Sequence, residues 1–169
     1  IYVGSYAVKE GDDVEGASLT VKLRKANGKS SEKAAALRVS IDTIPPDPVR
    51  GVTAHDKPDD EGYVLILSWE PSHAPDFSLY RIYRSPTPIL STAGMRPIME
   101  IGAAEATEIE VEVPETGADY YFAVTALDRA GNESDLDLSE GGSTSGPVKA
   151  IDNLPPPPVR GVWAADMPN

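Results

Sequence analysis

Two histidines, His55 and His73, are the side chains in this 169-residue sequence best suited to moving protons near neutral pH, and both stand beside turn residues. Neither has a Ser in a recognisable nucleophile setting for company, and no HExxH-like pair exists, so surface histidine is the plain reading of both. Cysteine is absent, which removes thiolate nucleophiles, thiolate metal sites and disulfides together. Acidic residues gather at two places, Asp56, Asp59, Asp60 and Glu61 at one and Asp135 and Asp137 at the other. Hard carboxylate oxygens at turns suit Ca²⁺, but the ligand spacings of helix-loop-helix and repeat-type calcium loops are missing, and a solvated acidic loop is the preferred reading. Glu108, Glu110 and Glu112 alternate with Ile109, Val111 and Val113, so the three carboxylates share one exposed strand face and cannot flank a bond as acid and base. The sequence predicts no catalytic residue, no cofactor and no metal ligand set.

Fifteen Lys and Arg stand against 27 Asp and Glu, a formal charge of −12 that repels phosphate backbones and anionic lipid. Nucleic acid and direct membrane insertion are therefore poor partners for the chain. A hydrophobic content of 40% is enough for a packed core. The chain opens at Ile1 without an initiator Met, and we read it as a piece of a longer polypeptide.

Elements that could position these residues follow from alternation. Tyr2 to Val8 is rich in strand formers and is followed by a polar turn at Lys9 to Asp13. Leu19, Val21 and Leu23 share one face against Thr20, Lys22 and Arg24, Asn27-Gly28 offers a hairpin turn, and Leu37 to Ile41 returns. The competing reading over Ser31 to Arg38 is a short helix, since Glu32 to Leu37 has good helix propensity. Further strands are expected at Val49–His55, Tyr63–Trp69, Phe77–Arg84, Pro97–Ile101, Thr107–Val113, Gly117–Leu127 and Val148–Asp152. Tyr63, Leu65, Leu67 and Trp69 should face inward together, as should Tyr80 with Ile82, and Tyr120 with Phe122, Val124 and Ala126. The Ser139–Gly146 segment reads as soft. Seven strands without a convincing helix predict an all-β, two-sheet antiparallel sandwich.

One stretch is written twice. Ile41-Asp42-Thr43-Ile44-Pro45-Pro46-Asp47-Pro48-Val49-Arg50-Gly51-Val52 returns as Ile151-Asp152-Asn153-Leu154-Pro155-Pro156-Pro157-Pro158-Val159-Arg160-Gly161-Val162, at a spacing of 110 residues. A period of domain size punctuated by proline predicts a tandem array whose joints are short and semi-rigid. The division expected is the C-terminal half of a β-module at 1–44, a complete module at 45–154, and the first strand of a following module at 155–169.

With the proline-led first strand, Leu67-Ser68-Trp69-Glu70-Pro71, Tyr80-Arg81-Ile82-Tyr83-Arg84-Ser85, Gly117 to Ala126 and the Asp128 to Ser134 turn in this order, residues 45–154 resemble the fibronectin type III family, in wording close to its bacterial secreted branch. The lead-in is similar to an immunoglobulin-like or fibronectin-like module. The resemblance implies an immunoglobulin-like sandwich with Trp69 in the core and with the hydroxyl of Tyr120 bonded back to nearby backbone. It implies a non-catalytic spacer, adhesin stalk or filament or surface-layer component of a secreted or cell-surface protein. The alternative is the accessory region of a secreted polysaccharide-degrading enzyme. Partners expected are neighbouring modules of the same chain, with other subunits or glycans as further candidates. Trp163, on the outer face of its strand, and Met95, in the loop before Pro97, are the candidate contact residues.

Overall fold

The computed structural model describes residues 13–21 and 35–161. The Tyr2–Val8 strand, the Asn27-Gly28 turn and Trp163 lie outside the described residues. Strands β1 (Asp13–Val21) and β2 (Ala35–Asp42) form an antiparallel pair with Leu19 opposite Leu37. Asp13, expected in a turn, opens β1. The helical alternative is overturned for Ala35 to Arg38, which lie in β2. So short a helical run nucleates poorly, whereas a partner strand satisfies its backbone groups at once.

Seven further strands build two sheets. One holds β3 (Thr53–Asp56), β4 (Val64–Ser68) and β7 (Glu108–Glu112) in the order β3-β4-β7. The other holds β5 (Phe77–Ser85), β6 (Met99–Ile101), β8 (Tyr120–Asp128) and β9 (Thr144–Val148) in the order β6-β5-β8-β9. Every pairing is antiparallel. The chain is an immunoglobulin-like β-sandwich. β6 has three residues, and β9, at the other end of its sheet, contains Pro147.

Alternation explains the interior. Leu65, Leu67 and Trp69 from one sheet meet Tyr80, Ile82, Phe122 and Val124 from the other, with Val49, Val52, Val111 and Tyr120 closing the ends. The Trp69 and Tyr80 rings meet edge to face, centroids 5.4 Å apart, and Phe77 leans on Tyr80 at 4.6 Å. The Tyr80 hydroxyl donates to the carbonyl of Ala104 at 2.9 Å and accepts from the N–H of Ser72 at 2.6 Å. That of Tyr120 donates to the carbonyl of Glu115 at 2.8 Å and accepts from its N–H at 3.1 Å.

Further expectations need correction. The first strand of the module, expected at Val49–His55, runs from Thr53 to Asp56. Tyr63 is 46% exposed, because β4 begins at Val64 and Tyr63 contributes its carbonyl, not its ring, by accepting from the N–H of Val113 at 2.8 Å. The closing strand runs from Thr144 to Val148 and ends where it was expected to start. Ser139–Gly146, expected to be soft, is anchored at Ser143, which is fully buried, accepts the N–H of Asp137 through its hydroxyl and donates to the carbonyl of Val49 at 2.6 Å. A buried hydroxyl with both capacities filled fastens a segment that composition alone marks as linker.

A second, smaller apolar cluster lies on the outer side of the four-stranded sheet. Tyr83, Ile89 and Ala123 are buried there, with Met95, Tyr121 and Leu136 packed against them. The loop between β5 and β6 folds back to cover its own sheet, so Met95 is partly engaged within the module.

Candidate functional site

The end of the sandwich that receives the lead-in strand carries the densest unusual chemistry. An open groove of about 900 Å³ runs between Ile41–Arg50 on one side and Glu70–Asp76 on the other. Its lining includes Pro45, Pro46, Pro48, Pro71 and Pro75, with Pro46 buried and Ile44 about half exposed. His73 stands at its rim, exposed, while His55 is exposed on β3. Ser72 donates its backbone N–H to Tyr80 and holds the N–H of Ala74 with its side chain, so it is occupied structurally.

Beside this groove the carboxylates of Asp42, Asp76 and Asp128 lie within 4.8 Å of one another. Asp42 ends β2, Asp76 precedes β5 and Asp128 ends β8, so the fold draws three segments together. Asp128 is buried and accepts the N–H groups of Gly131 (2.7 Å) and Asn132 (2.8 Å) and the side-chain amide of Asn132 (2.7 Å). Asp42 accepts the N–H of Ile44 at 3.1 Å. Such oxygens suit a hard cation, though three carboxylates are only part of the roughly six to eight ligands Ca²⁺ takes. Proximity of acids alone assigns no ion, and we treat the triad as a cluster of like charge.

The acids singled out from sequence are placed elsewhere. Asp60 is spent on its own loop, accepting the N–H groups of Gly62 (3.0 Å), Tyr63 (3.2 Å) and Val64 (3.0 Å). Asp56 accepts the N–H of Ile151 at 2.9 Å and the side-chain amide of Asn153 at 3.1 Å. Asp135 is exposed. Asp137 accepts the hydroxyl and N–H of Ser139, which hold its carboxyl below the usual range, and faces Arg50 at 3.6 Å. Glu108, Glu110 and Glu112 are exposed, with Lys57 against Glu110 at 2.7 Å.

A polar network that sequence reasoning passed over covers the outer face of the four-stranded sheet. Glu133, in the turn after β8, accepts from Arg81 (2.7 Å), Tyr83 (2.6 Å) and Thr125 (2.6 Å). Burial alone would raise its pKa, but these hydrogen bonds and the Arg81 charge outweigh it and hold the carboxyl below its ordinary value. Burial, then the bond to Glu133, pushes the Tyr83 phenol up to about 12. Hydrogen bonds to Glu100 and Glu133 raise Arg81 further above its already high value. The signal was available: Arg81, Tyr83 and Thr125 are polar and share the outward alternation of β5 and β8. Every member of this network is occupied by another, so it can orient a turn but offers no free acid or base.

Trp69, Tyr80, Ile82, Phe122 and Val124 meet in one interior, with Tyr120 at its edge. The indole N–H of Trp69 is the one buried side-chain polar atom without a partner among the described residues. No helix among the described residues is long and apolar enough to cross a membrane.

Comparison with models of protein families finds no match, and comparison with curated proteins finds none. Solved structures do match. The FN3tt domain is 18% identical, with 63% of this chain and 98% of that one covered at a TM-score of 0.44. Domains d3-d4 of the rat CD45 extracellular region are 16% identical, covering 83% of this chain and 70% of that one at 0.39. The spore cortex lytic enzyme SleM of Clostridium perfringens is 17% identical over 54% of this chain at 0.41, and the match spans only 26% of that enzyme. Likenesses at this level carry no functional argument.

Proposed function

We propose that the chain is a non-catalytic structural module, of fibronectin type III kind, that spaces and orients its neighbours within a secreted or cell-surface protein of bacterial type. Spacer, adhesin stalk and filament or surface-layer component are forms of the same task. The observation that carries this reading is the doubled neck. Asp42 accepts the N–H of Ile44 and Asp152 accepts that of Leu154, both at 3.1 Å, so the repeat in sequence is also a repeat in local conformation. A joint built twice in the same way belongs to an array. Supporting it, Asp56, Asp60 and Ser143 are bonded to the module's own backbone. The mechanism is mechanical: each sandwich buries its own core, and proline necks of limited bending pass orientation onward.

Small-angle scattering of the intact parent protein, with the 169-residue chain run against a panel of polysaccharides by affinity electrophoresis, tests the reading. An elongated particle and unretarded migration are expected. Retardation by a glycan, or turnover of one, overturns it and favours the accessory role beside a polysaccharide-degrading domain.

A further inference from the structure

The two necks agree in sequence and local conformation and differ in their surroundings. Gly51 and Gly161 are both left-handed, at φ 67° and 76°. Val49 is 4% exposed, whereas Val159 is 84% exposed. The N–H groups of Gly51 and Val52 donate to the carbonyls of Gly141 (2.7 Å) and Gly142 (3.1 Å), and the carbonyl of Val49 accepts the Ser143 hydroxyl. Among the described residues Val159 and Gly161 meet no such partners. The second neck therefore carries the same apolar side chain and hydrogen-bonding groups as the first.

Each neck also has a side facing the module before it and a side facing the module after it. The second neck is tied backward: Asn153 donates its side-chain amide to Asp56 (3.1 Å) and to the carbonyl of Lys57 (3.0 Å), and accepts the N–H of Asp60 (2.9 Å). Gly62 lies directly under the neck, where a side chain would run into the main chain of Ile151 and Asp152. The first neck is tied forward: the carbonyl of Asp42 accepts the side-chain amide of Asn132 at 3.1 Å. In the repeat, the residue that corresponds to Asp42 is Asp152, the immediate neighbour of the backward-tied Asn153.

We propose that residues 151–161 are a docking element for a further β-sandwich of the same kind, and that bonding on both sides at Asp152-Asn153 fixes the angle between the two modules. The occupant must bring its own counterpart of Gly141–Ser143, to take Val159 and Gly161, and its own Asp-x-x-x-Asn turn, to take the carbonyl of Asp152. A second copy of this chain is not that occupant, because its 141–143 segment already bonds its own Val49–Val52 and its Asn132 already holds its own Asp42. The inference rests on the spacer reading and adds to it a defined partner and a locked joint.

The test extends the chain by joining residues 52–154 after Gly161, so that the second neck feeds a copy of the sandwich known to accept the first. Hydrogen exchange by NMR is then read at Gly161. Its amide is expected to exchange about a hundredfold more slowly than in the 169-residue chain, approaching Gly51. A Gly161 amide that stays fast while the appended sandwich shows its own melting transition overturns the proposal. So does an appended copy that shows no transition, since the neck then fails to complete it. Asn132→Ala in the appended copy alone should keep Gly161 slow yet broaden the distance distribution between spin labels on the two sandwiches. An unbroadened distribution overturns the locked joint. If Gly161 is slow but the extended chain is retarded by a glycan, docking stands and the spacer reading fails.

Discussion

The side-chain amide of Asn132 bridges the carbonyl of Asp42 and the carboxylate of Asp128, at 3.1 and 2.7 Å. One residue in a turn thus ties the incoming strand to the end of β8. With its backbone N–H it supplies two of the three donors that make a buried Asp128 carboxylate tolerable, the third being the N–H of Gly131, since a buried charge short of donors is costly.

Asn132→Ala should therefore cost the 169-residue chain about 1.5–3 kcal/mol, the range for losing a hydrogen bond to a charged acceptor. Urea unfolding at neutral pH measures it, and an unchanged midpoint would remove the bond from the account of the joint.

Glu133 and Tyr83 set the pH limits of the sheet's outer face. The Glu133 carboxyl titrates below its ordinary 4.5 when folded, so its contribution is present above about pH 4.5 and is lost as pH falls further. Tyr83 moves from 10.0 to about 12, so its contribution is present below pH 10.0 and drains away as pH rises to about 12. Glu133→Gln should lower stability at pH 7 by about 1 kcal/mol, a modest figure because the side chain still meets water, and should flatten the acid limb. Denaturation midpoints across pH check both ends, and an acid limb as steep in the variant as in the parent would assign it to other carboxylates.

Asp76→Asn should stabilise the chain by about 1 kcal/mol in chelator-containing buffer, because three carboxylates within 4.8 Å repel one another. The opposite outcome, a loss of stability that chelator reproduces in the parent, is what a held cation would produce.

Phe122→Ala, in the centre of the interior, should lose about 3–5 kcal/mol, while Leu90→Ala, with Leu90 72% exposed, should stay within about 0.5 kcal/mol. Equal effects would mean that the two sheets do not share one core.

Gly62→Ala combines a φ of 80° with a methyl group placed 2.6 Å from the carbonyl carbon of Ile151. Strain of about 1 kcal/mol and overpacking of about 1–3 kcal/mol should add, and the amide of Asn153 should exchange faster as the neck lifts. A variant as stable as the parent would show that the neck does not lie on this turn.

What was legible in the sequence was whatever period two governs. Leu65, Leu67, Phe122 and Val124 alternate with partly buried or small neighbours, and the sandwich follows from that. Alternation ended one residue early for Tyr63, because the turn held by Asp60 takes Tyr63 out of the strand. It was silent about Tyr83, which points outward from its sheet and is buried only because Ile89 and the rest of its loop fold over it. The Asp42, Asp76 and Asp128 cluster has no local pattern at all, since each acid ends or precedes a different strand and only the packing of strands brings them together. The acids that did cluster in sequence, Asp56 and Asp60, turned out to be backbone acceptors, a role that spacing along the chain does not distinguish from ligation.

The four-stranded sheet ends in β9, where Pro147 has no N–H to offer, and in β6, which is only three residues long. An open edge is where identical sheets zip together, and the hazard grows when many copies are crowded on one surface. Both borders here are poor templates for a foreign strand. Two such four-stranded sheets brought edge to edge would meet a missing N–H at Pro147 on one border and a strand of only three residues on the other.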